Sequence, residues 1–197
     1  MMKKLLFLLL MALFMPWAAQ AQITVTIGTG TNSTYSIPFH SLRSYSFVEQ
    51  LYSASEIQQG GGVAGSITSI SFYRVINASL DGKPDASPGQ DWTNNIVLYM
   101  KNTNETAFNE TTDYVPVSAD DIVFNGAFSI PAATEGWVTI TLNKPFSYDG
   151  TSNLLVAIDE NMGGIQRRYF AYTHTNNSVH QWASSANGTY INSNPDP

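Results

Sequence analysis

Short segments of alternating apolar and polar residues, separated by turn-forming residues, limit the fold of this 197-residue chain more than any other feature. They are rich in β-branched and aromatic residues, which favour strands. Because side chains alternate between the two faces of a strand, each segment predicts one strand. Together they predict an all-β fold, either a sandwich or a barrel. The predicted strands are residues 23–27, 45–52, 67–75, 95–101, 122–124, 127–130, 137–142, 154–158 and 168–174.

Helix signals are few, and turn signals are frequent. Residues 53–57 and 118–122 each predict a single helical turn capped by a Ser or Asp, too short to be stable alone. Asn-Gly at 125–126 and Asp-Gly at 149–150 predict tight turns between strands. Residues 77–91, rich in Gly, Pro and Asp and without periodicity, predict a long loop.

Residues 1–21 predict a signal peptide for export through the Sec pathway. Lys3 and Lys4 precede an apolar stretch, residues 5–17, that is too short to span a bilayer, and Ala19-Gln20-Ala21 forms a cleavage site. An uncleaved N-terminal anchor is the alternative. After cleavage, residues 22–197 are expected to form one domain at the cell surface or outside the cell, with the periplasm as a further location and no transmembrane anchor.

Charge and cysteine content exclude several kinds of partner and site. Residues 1–21 hold two of the nine Lys and Arg and none of the fifteen Asp and Glu, so the remainder has a net charge of about −8. This acidity argues against nucleic acid and against anionic membranes as partners. The chain has no cysteine, so a hydrophobic core must stabilise it without disulfides, and thiolate chemistry is excluded.

Two regions concentrate acidic residues. One is the predicted loop 77–91, and the other is Asp159-Glu160-Asn161, which follows a segment that is apolar on both faces. Calcium prefers several oxygen ligands supplied by loops. We therefore take Asp159, Glu160 and Asn161 as candidate ligands of Ca²⁺; the alternative is that they are solvated acids in a turn.

Aromatic residues on polar faces or loop edges are candidates for ligand contact, because a ring can stack on a sugar or on another protein. Trp92 and Trp182 are the candidate ligand-binding residues. The alternative is that the second sheet covers these rings. The aromatic residues with this pattern are Trp92, Tyr99, Trp137, Tyr169 and Trp182.

No motif in the sequence indicates a catalytic site. Gly60, Gly62 and Gly65 match G-x-G-x-x-G, but they precede a predicted strand instead of the helix that a dinucleotide site needs. The three histidines, His40, His174 and His180, form no zinc motif, and no nucleophile elbow is present. We therefore predict no catalytic residue and no certain cofactor.

Five strings resemble, in order, a module of secreted Bacteroidota surface proteins: EQLYSASEI, GSITSISFYR, NNIVLYMKNT, TTDYVPVSADDIVFNGAFSI and WVTITLNKPFSYDGTSNLLVAIDEN. Such modules accompany fibronectin type III, cleaved-adhesin and type IX sorting domains. The resemblance implies an antiparallel, jelly-roll-like β-sandwich with an adhesive or ligand-binding role and no catalytic residues. Relatives continue beyond the equivalent of GTYINSNPDP, so we expect a truncated domain that lacks its closing strand.

The sequence therefore predicts a non-catalytic, exported surface module that binds a glycan or a protein as part of a larger protein. Two alternatives remain: a structural spacer without its own ligand, and an accessory fragment of a secreted glycoside hydrolase or peptidase.

Overall fold

The computed structural model describes residues 22–30, 32–76, 79–80, 83–84, 91–110, 113–132, 135–161, 168–173 and 178–184. These residues are mostly strand, with one short helix, α1 (Ala54–Gln59), and one 3-10 turn (Ala119–Asp121). The strands are β1 (Asn32–Thr34), β2 (Tyr45–Tyr52), β3 (Gly65–Val75), β4 (Ser79–Leu80), β5 (Lys83–Pro84), β6 (Trp92–Thr103), β7 (Ile122–Ile130), β8 (Gly136–Tyr148), β9 (Asn153–Glu160), β10 (Tyr169–Tyr172) and β11 (Val179–Ser184).

Two antiparallel sheets form the body of the protein. The four-stranded sheet has the order β1-β10-β3-β8, and the five-stranded sheet has the order β11-β2-β9-β6-β7. Within the described residues, strands β4 and β5 pair only with each other. The predicted all-β, antiparallel sandwich is confirmed.

The main core lies between the two sheets. Alternate residues of β6 and β9 face alternate residues of β8, together with Phe170 of β10, in one cluster of buried apolar side chains, as the period of a strand requires. A second, smaller cluster lies on the opposite, outer face of the five-stranded sheet, where Phe108, Val115 and Val117 from the connection between β6 and β7 pack on it. The outer face of the four-stranded sheet, in contrast, presents exposed side chains from β3 and β8.

Most predicted strands are confirmed, and two predicted ones merge. Residues 122–124 and 127–130 belong to the single strand β7, so the turn predicted at Asn125-Gly126 is wrong. The strand predicted at 23–27 is also wrong: this segment pairs with no sheet, although Val25 and Ile27 pack against the core.

The two predicted helical turns are present. Ser53 caps α1 through a capping box with Glu56, and Ser118 precedes the 3-10 turn. Asp149-Gly150 forms the predicted turn between β8 and β9, where the Asp149 carboxylate accepts hydrogen bonds from Thr151 N and Ser152 N. In the predicted loop 77–91, the structure shows the short pair β4 and β5; residues 77–78, 81–82 and 85–90 lie outside the described residues.

Candidate functional site

Two neighbouring aromatic side chains project from the outer face of the four-stranded sheet. Tyr73 on β3 and Trp137 on β8 are cross-strand partners. Both point away from the core, because Phe72 and Val138, one position along each strand, pack inward. Trp137 is 55% exposed and Tyr73 36% exposed, and their ring centroids lie 5.4 Å apart with an interplanar angle of 88°. Edge-to-face contact with Tyr73 thus orients the indole of Trp137 while leaving much of its surface in solvent.

Uncharged hydroxyl side chains continue this surface along both strands. Ser71 pairs with Thr139 and Ser69 with Thr141 in the register of β3 and β8, and Ser71 Oγ lies 2.8 Å from Thr139 Oγ1. We call this surface the aromatic face. It offers an apolar ring beside several hydroxyl groups that donate and accept hydrogen bonds, with no acidic or basic side chain among its members. The aromatic face comprises Ser69, Ser71, Tyr73, Trp137, Thr139 and Thr141.

The prediction that Trp92 contacts a ligand is wrong. Trp92 is only 4% exposed and stacks on Phe39, with ring centroids 4.8 Å apart and an interplanar angle of 10°. It occupies the same face of β6 as Ile96, which belongs to the main core, so its side chain also points inward. Tyr99 and Tyr169 are buried as well. Of the predicted exposed rings with described side chains, Trp137 is the one whose exposure is confirmed.

The second candidate contact, Trp182, lies on β11, where its backbone pairs with Phe47 of β2. The side chain of Trp182 lies outside the described part of the protein, so its role in ligand contact stays a prediction. His174 is likewise outside the described residues, as is the side chain of His180.

The predicted calcium ligands do not converge. Asp159 and Glu160 are adjacent residues of β9, so their side chains point to opposite faces of the five-stranded sheet. Glu160 points into the main core, where its Oε1 accepts a hydrogen bond from Asn94 Nδ2. Asp159 lies on the outer face, and its carboxyl is hydrogen-bonded to Asn161. The prediction that all three residues bind one Ca²⁺ ion is therefore wrong. Calcium binding elsewhere in the chain stays a prediction.

Burial changes the ionisation of Asp159 and of its neighbour Tyr99. Removal from solvent raises the pKa of Asp159 to about 6, and the hydrogen bond from Asn161 opposes that rise. Burial, together with the negative charge of Asp159, raises the pKa of Tyr99 to about 12. Among the described residues, no group of three or more His, Cys, Asp or Glu side chains is arranged to hold a metal ion.

Sequence reasoning missed Glu49, a fully buried carboxyl in the middle of β2. Its Oε2 accepts a hydrogen bond from Val115 N at 3.1 Å, and burial raises its pKa to about 8. A signal for it exists in the sequence, since Glu49 alternates with Phe47 and Leu51 and must therefore share their apolar face.

The glycine-rich segment 60–65 lies between α1 and β3. Gly60 ends α1 and Gly65 begins β3, so a strand follows the glycine-rich segment, as predicted.

Burial lowers the pKa of His40, with the nearby charge of Arg43 acting in the same direction. No helix in the described part of the chain is both long and apolar enough to cross a membrane.

Comparisons with known proteins do not add a function. No family model matches the chain, and neither the curated proteins nor the solved structures contain a significant match to it. The resemblance to secreted Bacteroidota surface modules therefore stays a prediction from the quoted strings.

Proposed function

We propose that the chain is a non-catalytic, exported surface module that binds a neutral glycan on its aromatic face. The observation that carries this proposal is the exposed indole of Trp137, held edge-to-face by Tyr73 on the outer face of the four-stranded sheet. A large aromatic surface that remains in solvent on a sheet is a candidate contact for a ligand. The signal peptide predicted at 1–21 supports a location at the cell surface.

The chemistry of the aromatic face favours a sugar as the ligand. A pyranose ring presents C–H groups on one side, which pack on an indole, and hydroxyl groups at its edge, which pair with serine and threonine hydroxyls. The aromatic face offers both kinds of contact side by side, at Trp137 and at the Ser71–Thr139 pair.

Charge argues for a neutral glycan in preference to an acidic one. The members of the aromatic face carry no charge at neutral pH, so they offer no partner for a sulfate or uronate. The rest of the chain is acidic, with a net charge of −6 for the full sequence, and repels anionic polymers at long range. A neutral polysaccharide needs no cationic partner and is not repelled by the negative charge of the chain.

Replacing Trp137 by alanine is expected to weaken binding to a neutral polysaccharide at least tenfold, because stacking contributes most of the apolar contact. Tyr73→Ala should weaken it less, since Tyr73 acts mainly by orienting Trp137. Retention of residues 22–197 and of both variants on an array of neutral and acidic polysaccharides measures these losses of binding. The control is Val63→Ala, which shortens another exposed apolar side chain outside the aromatic face and should leave retention unchanged.

The outcomes separate the proposal from its alternatives. Retention that is equal in Trp137→Ala and the unchanged protein would place the binding site elsewhere. Absence of retention on every glycan would favour a spacer or a protein ligand. Recovery of shortened glycan chains from the array would indicate a hydrolase fragment instead of a binding module.

A further inference from the structure

Residues 104–110 and 113–118, which follow β6, contribute side chains that pack on the outer face of the five-stranded sheet. We call these residues the cover. Phe108, Val115 and Val117 are buried in the outer apolar cluster together with residues of β2, β6 and β9. Tyr114 packs on Phe47 of β2, with ring centroids 5.9 Å apart. The cover therefore keeps an apolar sheet face out of water without being part of a sheet.

Side chains of β2, β6 and β9 form hydrogen bonds with the backbone of the cover. Glu49 Oε2 accepts a hydrogen bond from Val115 N at 3.1 Å. Lys101 Nζ donates a hydrogen bond to Pro116 O at 2.6 Å. Asn153 Nδ2 donates to Glu105 O near the start of the cover. The hydrogen bond to Glu49 is buried, and among the described residues its second oxygen, Oε1, has no hydrogen-bond partner.

The surroundings of Glu49 disfavour its charged form. Burial is the largest cause of its raised pKa of about 8, from an ordinary value of 4.5, and the charge of Asp113 on the cover adds to it. The hydrogen bond from Val115 N and the charge of Lys101 act in the opposite direction. A buried carboxylate with one unpaired oxygen costs far more than a buried neutral carboxyl.

Other titratable groups lie on the strands around Glu49. Asp159 on β9 and Tyr99 on β6 share the outer face of the sheet, with pKa values of about 6 and about 12. His180 on β11 is the register partner of Glu49. A test of pH dependence must therefore distinguish the ionisation of Glu49 from that of these neighbouring groups.

We propose that Glu49 makes the cover a pH-sensitive lid, which is held tightly in acid and loosens as the pH rises toward mildly alkaline values. The direction follows from linkage: the neutral carboxyl is favoured when covered, and the carboxylate is favoured when the cover opens and water reaches it. Opening therefore becomes easier from about pH 4.5 upward and levels off above about pH 8. An open cover exposes the apolar outer face of the five-stranded sheet.

Hydrogen exchange of the Val115 amide tests this lid, since this N–H bonds Glu49. Between pH 6 and 8 its protection factor, corrected for the intrinsic rate, is expected to fall by up to about tenfold per pH unit. In Glu49→Gln, which keeps an acceptor oxygen but cannot ionise, the protection factor should stay constant over this range. Asp159, with a pKa of about 6, titrates at the lower end of this range, so the fall in protection between pH 7 and 8 is the part that tests Glu49.

Three further measurements keep the proposal falsifiable. His180→Gln should retain the pH dependence, and Asp113→Asn should move it to lower pH by removing a charge that disfavours the carboxylate. The buried Val156 amide at the centre of β9 reports global unfolding and should stay at least about tenfold better protected than Val115. Equal protection of Val115 and Val156, or the same pH dependence in Glu49→Gln, would overturn the proposal.

Discussion

Replacing Trp92 by alanine is expected to lower the free energy of unfolding by about 3–5 kcal/mol, the largest effect that we predict for a single side chain. Trp92 stacks on Phe39 and contacts Phe128 edge-to-face, with centroids 6.4 Å apart. Removing the indole breaks both contacts and leaves a cavity that the surrounding strands can fill only in part. Trp92→Phe keeps part of the ring volume and should cost clearly less, which provides a folded variant if the alanine protein does not fold.

The comparison of Trp92 with Trp137 makes this prediction specific. Trp137→Ala, which removes the same side chain from an exposed position, should change the free energy of unfolding by less than about 1 kcal/mol. Urea denaturation followed by far-ultraviolet circular dichroism measures both variants without relying on tryptophan fluorescence. If both substitutions cost the same, Trp92 is not the core residue that its burial indicates.

The inward position of Trp92 could have been deduced from the sequence. Counting back in steps of two from Met100, Leu98 and Ile96 reaches Trp92, which places it on the core face of β6. The prediction that Trp92 contacts a ligand assigns it to a loop, although it lies at the edge of a predicted strand. The same counting separates Asp159 from Glu160, because both belong to one strand once β9 is extended past Ile158.

Other errors could not have been avoided, because a local pattern does not show which strand pairs with which. Asn-Gly is the strongest short signal for a hairpin turn, yet Asn125-Gly126 continues β7, paired with Val97 and Ile96 of the long strand β6. Alternation at 23–27 correctly indicates that Val25 and Ile27 are buried, but no neighbouring strand pairs with their backbone. Alternation reports which side chains face the core, and strand pairing depends on the tertiary structure.

The aromatic face was only partly predictable. The sequence places Trp137 on a polar strand face, and its exposure is confirmed, whereas its partner Tyr73 belongs to a different predicted strand. Their contact depends on the pairing of β3 with β8, which are separated by more than fifty residues in the sequence. Sequence patterns therefore identify candidate residues one strand at a time, and the register of the sheet brings them together.

Replacing Ser41 by alanine is expected to lower the free energy of unfolding by about 2–4 kcal/mol, although it removes only one oxygen atom. Ser41 is buried, and its hydroxyl donates to Arg168 O at 2.9 Å and accepts from Arg168 N at 3.0 Å. Alanine removes both hydrogen bonds from buried backbone groups, and the loss of each buried hydrogen bond carries a desolvation penalty. The bond also joins the segment before β2 to the residue before β10, so its loss loosens the attachment between the two sheets.

Two other serine-to-alanine substitutions calibrate this effect. Ser46 is buried but accepts a single hydrogen bond, from His40 N at 3.0 Å, so Ser46→Ala should cost about 1 kcal/mol. Ser71 shares its hydroxyl contact with Thr139 at an exposed position, and Ser71→Ala should cost at most about 0.5 kcal/mol. Denaturant titrations of the three variants are expected to rank them in this order, because the cost follows the number of buried backbone partners lost. A cost for Ser41→Ala as small as that for Ser71→Ala would mean that water replaces the hydroxyl, and that the connection between Ser41 and Arg168 does not hold the two sheets together.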